Sequence, residues 1–301
     1  MAGAPANPDF APSGAPARAA APHTAAVIGL GLIGGSIARD LAAAGVRVLG
    51  CDRDDSTLEA AIASGVVADS LGPPVGPAWG GVAEADWVIL AVPVDAAPAL
   101  LLSLAPALGG AQLVTDVGST KSAITAAAEG LGLGPRFVGS HPFAGDHRSG
   151  WAASAAGLFR GARAYLTPCP STGDVALHAA RRLWGLCGAT VELIDAAAHD
   201  RLMAWASHLP QVASSALALA LADAGIPPAA LGRGGHDATR LAAGSPEVWT
   251  GIALENAAEL AVALEALEGR LGELREALKR RDAAAIHALL AAATAWSGEG
   301  G

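Results

Sequence analysis

The sequence predicts an α/β fold: a doubly wound, mainly parallel, Rossmann-like sheet followed by an all-helical C-terminal domain. Three observations carry this. A glycine-rich turn joins an apolar run to a helical pattern near the start. Short apolar runs then alternate with helical stretches as far as Asp195. Beyond that residue only helical periodicity remains, through Trp296. Strands that alternate with helices build parallel sheets covered on both faces.

The elements justify themselves in order. Met1–His23 is rich in Ala and Pro and lacks the basic start and apolar core of a secretory signal. With Arg18 as its one arginine it is weak as a transit peptide, and it is expected to be a disordered tail or the product of a start codon placed too early. Ala25–Leu30 reads as a buried strand, and Gly29-x-Gly31-x-x-Gly34 follows, with Leu32 and Ile33, expected cofactor contacts, opening a helix that continues through Leu41. Gly29 allows the tight turn, Gly31 lets a pyrophosphate approach the backbone, and Gly34 lets helix and strand pack closely. The free N–H groups of the helix start favour an anion. A second strand, Arg47–Cys51, ends at Asp52, whose carboxylate suits the two ribose hydroxyls of an adenosine and repels a 2′-phosphate. NAD is therefore expected over NADP, although the guanidinium of Arg53 beside that site could tolerate the phosphate. A glycine-rich turn with no ligand is the competing explanation; strand, helix, second strand and acid in this order favour the dinucleotide.

Further strands are expected at Trp87–Val92, stopped by Pro93, at 112–117, at 136–141, stopped by Pro142, and at 162–167 and 190–195. Ligands of doubly wound sheets lie beyond the carboxyl ends of the strands. Those ends supply Val92 and Pro93 as cofactor contacts, then Gly118, Ser119 and Lys121, then His141. An imidazole there can take a hydroxyl proton while hydride leaves the same carbon. A capping or core histidine fits the position of His141 equally well.

From Ala196 onward, helices are interrupted at 225–228, 232–235 and 244–246, and Pro210 lies inside a continuous pattern where it predicts a kink. Leu260, Leu264, Leu267, Leu271, Leu274 and Leu278 form a stripe suited to core or helix–helix packing. A slender, alanine-rich helical domain completes its core by pairing, which predicts a homodimer through 196–297. The expected division is thus a 1–23 tail, a 24–195 dinucleotide-binding domain and a 196–297 substrate and dimerisation domain, with no regulatory module after it.

Composition narrows the function. The net charge of −9 leaves no basic stripe for nucleic acid. Cys51, Cys169 and Cys187 have no C-x-x-C spacing, so neither a disulfide frame nor a metal site is expected, and the cytoplasm follows by default. No apolar run is long enough to cross a bilayer.

The motifs together resemble a family. The Gly29–Ser36 turn, Val114-Thr-Asp-Val-Gly-Ser-Thr-Lys121, Gly139-Ser-His-Pro-Phe-Ala-Gly145 and Ser149-Gly150 stand in the order seen in prephenate dehydrogenases. His199-Asp200, Ser207-His-Leu-Pro210 and Asp237-Ala-Thr-Arg-Leu-Ala242 continue the likeness, which ends near Trp249 and Asn256. The resemblance implies NAD-dependent oxidative decarboxylation of prephenate to 4-hydroxyphenylpyruvate in tyrosine synthesis. It implies that His141 accepts the ring hydroxyl's hydrogen bond, that Ser119 positions that hydroxyl, His141 and the nicotinamide of the cofactor, and that Arg240 holds a substrate carboxylate, against a plain solvated arginine. Ser207 matches a serine near the substrate, while His208 has no clear role beyond a structural one. Lys121 has two readings, a cofactor contact or a pair with Asp116; His199-Asp200 is expected to serve the domain junction; His236 and Asp237 fall near the site mouth.

Two positions depart from the family pattern: His147 where an acid is common, and Gln211 where a histidine is common. Both lie in substrate-contacting regions, which keeps L-arogenate open as an alternative or second substrate, with Asp146 as a partner for its ammonium. A β-hydroxyacid dehydrogenase of the wider type needs a lysine that Asp195–Gln211 lacks. An NAD-sensing regulator without turnover is disfavoured by the retention of Ser119, His141 and Arg240.

Overall fold

A computed structural model describes residues 22–72, 80–145 and 148–298. The tail expected over 1–23 lies almost wholly outside them, as do Asp146 and His147.

Among the described residues, eight strands, β1 (Thr24–Ile28), β2 (Arg47–Cys51), β3 (Asp69–Ser70), β4 (Trp87–Leu90), β5 (Leu113–Asp116), β6 (Val138–Pro142), β7 (Arg163–Pro168) and β8 (Thr190–Leu193), alternate with helices. The first five form a parallel sheet in the order β3-β2-β1-β4-β5. A parallel bridge, Val114 to Phe137, carries the sheet on to β6. From there β7 runs antiparallel to β6, and β8 is parallel to β7. The reversal puts one antiparallel pair in the mainly parallel sheet. The parallel bridge leaves the carboxyl end of β6 on the same edge as the ends of β1, β4 and β5.

The β-strand period of two explains the core. In β1, Ala25 and Val27 face one apolar cluster, and Ala26 and Ile28 face the other. The first cluster takes in Ile37 and Leu41 of helix α1 (Leu32–Ala43) and Trp184 of a later helix. The second takes in Leu101 and Leu104 from the helix after β4. A strand buried on both faces reads as a continuous apolar run, which is why these strands were visible in the sequence. β1 and β4 end two residues short of their apolar runs, so Leu30 and Val92 lie in the loops that follow, whereas β6 and β7 run one residue past theirs and β6 takes in Pro142, which pairs with Ala164 instead of stopping the strand.

The helices after α1 are α2 (Asp55–Ala63), α3 (Gly80–Ala83), α4 (Ala97–Leu104), α5 (Ser122–Gly130) and α6 (Asp174–Leu186). Among the described residues from Ala196 onward only helices follow: α7 (Ala196–Met203), α8 (Leu209–Asp223), α9 (Arg233–Thr239), α10 (Pro246–Glu255), α11 (Ala257–Lys279) and α12 (Ala283–Gly298). Asp195 caps α7, its carboxylate accepting from the N–H groups of Ala197 and Ala198 at 3.0 Å. At Pro210 the sequence predicts a kink. The structure answers with a π-helical turn, Ala204–His208, that ends just before it. Proline has no N–H to offer the Ala206 carbonyl, and a wider turn absorbs the mismatch. The leucine stripe on α11 is only partly covered within one chain: Leu260 is buried, but Leu271 and Leu278 are each 57% exposed.

Candidate active site

The glycine turn has the geometry that its spacing requires. Gly29 has φ +93° and its N–H donates to the Cys51 carbonyl at 2.8 Å. A Cβ on Gly29 would collide with the Ala91 carbonyl, and one on Gly34 with the Gly29 carbonyl and the Ala91 side chain. A Cβ on Gly31 would meet nothing within 4 Å. Two glycines therefore serve packing, while the third borders open space at the N-terminus of α1, beside Leu32 and Ile33. That is the division of labour expected where a pyrophosphate lies against a helix start. No side chain caps α1, so its first N–H groups keep their donors for an anion.

Asp52 follows β2. Its carboxylate accepts from the N–H groups of Leu30 at 2.7 Å and of Asp54 at 3.0 Å, which ties the acid to the glycine turn and fixes its direction. Each oxygen keeps a lone pair for a ribose hydroxyl. Arg53 beside it is exposed, and Val92 and Pro93 follow β4 on the same sheet edge.

The next loop, 117–121, carries Ser119, half-buried. Asp116 shapes it. Its carboxylate accepts from the N–H of Gly118 at 2.9 Å and pairs with the Lys121 ammonium, which also donates to the Ser140 carbonyl at 2.9 Å. Lys121 is fully buried. Of its two readings, the pair with Asp116 is the one observed. Burial pushes its ammonium below the ordinary lysine value, and the Asp116 carboxylate opposes that. The ion pair thus connects β5, the Ser119 loop and β6.

His141, in β6, is buried. Its Nδ1 lies 2.9 Å from Nε2 of His199, and Nδ1 of His199 lies 2.9 Å from Oδ1 of Asp200. Asp200 in turn accepts from the N–H groups of Lys121 and Ser122, both at 2.8 Å. Burial raises the Asp200 carboxyl, but its hydrogen bonds from His199, Ser122 and Lys121 outweigh that and hold it below the usual value. Burial, with His199, Lys121 and His208 nearby, holds the His141 imidazole well below its ordinary value. A neutral imidazole is what a proton acceptor must be.

Asn256 closes the back of this cluster. Its amide donates to the Asp200 carbonyl at 2.8 Å and approaches Nδ1 of His208 at 3.1 Å. His208, from the π-helical turn, is buried with its Nε2 unpartnered and its ring edge-on to Trp249. Burial lowers its imidazole to about 4, against a smaller upward pull from Asp200.

The structure therefore joins His141 with His199, Asp200, Asn256 and His208, residues from four separate segments. Ser207 is half-buried one position before His208. Gln211 is buried, with its amide donating to the Leu241 carbonyl at 2.7 Å. That bond anchors the 3₁₀ turn Arg240–Ala243 against α8 and places Arg240, exposed, at its start. Arg240 is not part of the hydrogen-bonded cluster, and His147 lies outside the described residues.

Sequence reasoning missed the main partner of His141. His199-Asp200 does join the two halves of the chain, but it does so by packing directly against His141. A signal was present. His199 and Met203 are four apart on α7 and share its inward face, at 0% and 1% exposure. A histidine in register with a core methionine must find a partner inside.

Comparison with known proteins gives the same architecture. The family model for the prephenate dehydrogenase nucleotide-binding domain matches residues 37–193, and that for the prephenate dehydrogenase dimerization domain matches 195–292. The prephenate dehydrogenase of Bacillus subtilis is 32% identical over 271 residues, 86% of this chain and 71% of that protein. The cyclohexadienyl dehydrogenase of Zymomonas mobilis is 33% identical over 264 residues, 85% of this chain and 89% of that one. Among solved structures, prephenate dehydrogenase from A. aeolicus in complex with hydroxyphenyl propionate and NAD+ superposes with a TM-score of 0.85 at 28% identity, covering 94% and 99% of the two chains. Arogenate dehydrogenase from Synechocystis does so with 0.75 at 30% identity, covering 92% and 99%. With both halves matched in order, and a nucleotide turn and a buried histidine on one sheet edge, the chain belongs to the prephenate dehydrogenase family.

Proposed function

We propose that this protein is an NAD-dependent dehydrogenase that oxidatively decarboxylates prephenate to 4-hydroxyphenylpyruvate. The observation that carries the proposal is the position of His141. It is a buried, neutral imidazole at the carboxyl end of β6, on the sheet edge that also bears the Gly29–Gly34 turn.

The residues present fit NAD. The α1 N-terminus and the open space at Gly31 suit its pyrophosphate, and Asp52 suits the adenosine ribose. The acid also disfavours the extra phosphate of NADP. When bound, NAD supplies the hydride acceptor. The chain supplies the rest. Ser119 holds the C4 hydroxyl of the substrate. His141 takes that hydroxyl's proton as hydride leaves C4. The electron pair of the breaking C1–carboxyl bond enters the ring, CO₂ departs, and the ring becomes aromatic. Arg240, on the turn that Gln211 anchors through the Leu241 carbonyl, binds a substrate carboxylate, and Ser207, Gln211 and His147 belong to the same substrate-facing set. L-arogenate is the second reading, supported by relatives named cyclohexadienyl and arogenate dehydrogenase.

In this reading 24–195 binds the dinucleotide and 196–297 binds substrate and pairs with a second copy. The exposed leucines of α11 and the match to a dimerization domain support the pairing. Three free, buried cysteines suit a reducing compartment such as the cytoplasm.

The test is a side-by-side rate with prephenate and arogenate, each with NAD and NADP, followed through the absorbance of the reduced nicotinamide. Prephenate with NAD is expected to be the fastest pair. His141→Asn is expected to lower kcat by about a thousandfold while NAD affinity stays within a factor of two. Full turnover in that variant removes His141 from the chemistry, and no turnover by the wild type with either substrate overturns the proposal.

A further inference from the structure

Mass and charge balance sharpen what His141 must do. Prephenate is a dianion; losing hydride and CO₂ leaves 4-hydroxyphenylpyruvate as a monoanion with its phenol proton in place. No proton leaves overall. The hydroxyl proton is taken up as hydride departs and is then returned to the phenolate oxygen that decarboxylation creates. The acceptor must therefore hold one proton briefly, at one nitrogen, and give it back.

The hydrogen bonds decide which nitrogen is free. Both Asp200 oxygens accept a backbone N–H, from Lys121 and from Ser122, so this carboxylate has only lone pairs to offer. Nδ1 of His199, 2.9 Å away, must then carry a proton. With its one ring proton placed on Nδ1, His199 presents a lone pair at Nε2. That lone pair faces Nδ1 of His141 at 2.9 Å, so Nδ1 of His141 must carry its proton. What remains on His141 is a bare Nε2.

We propose that His199 and Asp200 are positioning residues that lock His141 in the Nδ1–H tautomer, leaving Nε2 as the proton acceptor, and that share the charge while the proton resides there. This deepens the functional reading above and rests on it for the identity of the hydroxyl. The opposite tautomer would point an N–H at the substrate hydroxyl and could accept nothing. Other titratable groups around His141 reinforce the lock. The Lys121 ammonium, already paired to Asp116, opposes a standing charge on the ring; His208 lies behind, and Tyr165 of β7 packs against both His141 and His199. Glu255 and Glu259 border a small cavity that Asp200 and Asn256 also line. Because no net proton is released, the reaction needs no exit through it.

The experiment uses the full chain labelled with ¹⁵N-histidine, with the His141 signal assigned by its loss in His141→Asn. Two-bond ¹⁵N–¹H correlation of the ligand-free protein is expected to show His141 protonated at Nδ1. His199→Phe removes the acceptor; it is expected to move that proton to Nε2 and lower kcat about 100-fold or more, with KM and NAD affinity within about threefold. His199→Gln restores an acceptor oxygen; it is expected to keep the Nδ1–H tautomer and recover kcat to within about tenfold of wild type. An Nε2–H tautomer in the wild type, or wild-type kcat in His199→Phe, overturns the proposal; should His199→Phe not fold, the wild-type spectrum and His199→Gln decide it. An Nδ1–H signal in a protein that oxidises neither prephenate nor arogenate keeps the lock and sinks the assigned reaction instead.

Discussion

An imidazole nitrogen without a partner inside a protein has a cost that depends on pH. His208 is such a group: 1% exposed, bonded at Nδ1 to Asn256 and orphaned at Nε2. Its folded-state pKa is lowered from 6.5 to about 4. Between those values the unfolded chain binds a proton that the native ring refuses. Native stability therefore holds above pH 6.5 and declines as pH falls toward 4, by about 3 kcal/mol from this ring. His141 is shifted the same way and adds to the loss. We expect the melting temperature to drop between pH 7.5 and pH 4.5, and His208→Gln to shrink that drop. Equal drops in variant and wild type would show that the ring does not carry the effect. At this scale the sequence disclosed His141, Asp52 and the glycines, because strand ends and turn spacing fix where those residues lie. It did not disclose the His141–His199 contact, which joins residues 58 positions apart and follows from how α7 docks beside β6. Nor did it show that Gln211 is committed to the Leu241 carbonyl, because helix periodicity says which face a residue takes and not which carbonyl it meets.

Single elements were legible where local chemistry dictates them. The turn after β1 is one, and it separates two roles that glycine plays. Gly34→Ala forces a Cβ into backbone and side chain, so it is expected to lower both thermal stability, by about 1–3 kcal/mol, and NAD affinity. Gly31→Ala meets no protein atom and has φ −67°, which alanine accepts. It is expected to leave the melting temperature of the free protein unchanged while weakening NAD at least about tenfold, by standing where the pyrophosphate approaches. Calorimetry with and without NAD checks both; equal NAD affinity in Gly31→Ala and wild type would mean that the dinucleotide does not pass over this turn. Two elements escaped the sequence. β3 is a two-residue strand, too short for any period. The direction of β7 is invisible because a strand's own pattern does not encode the orientation of its neighbour. Pro210 announced an irregularity, and the π-helical turn is the form it took.

For the whole molecule, the outstanding matter is the apolar surface of the helical half. Leu271, Leu278, Leu254 and Trp296 are each more than half exposed. In the proposed dimer these residues are covered by the second copy. Leu271→Glu combined with Leu278→Glu is expected to convert a dimer into a monomer in sedimentation or light scattering, with NAD binding to the other half retained. An unaltered mass would place the pairing surface elsewhere. The leucine pattern identified the stripe, but the homodimer was expected from the slender, alanine-rich build of the domain, since a leucine repeat reads alike whether its partner is the same chain or another.

Asp200 has a wider bearing on the molecule. One oxygen receives the His199 ring, both oxygens receive the start of α5, and its carbonyl is held by Asn256. A single side chain thus rivets the sheet to the helices and terminates the imidazole chain. If the two halves part to admit substrate or release product, that rivet opens too, so acid–base competence would be assembled anew with every closure.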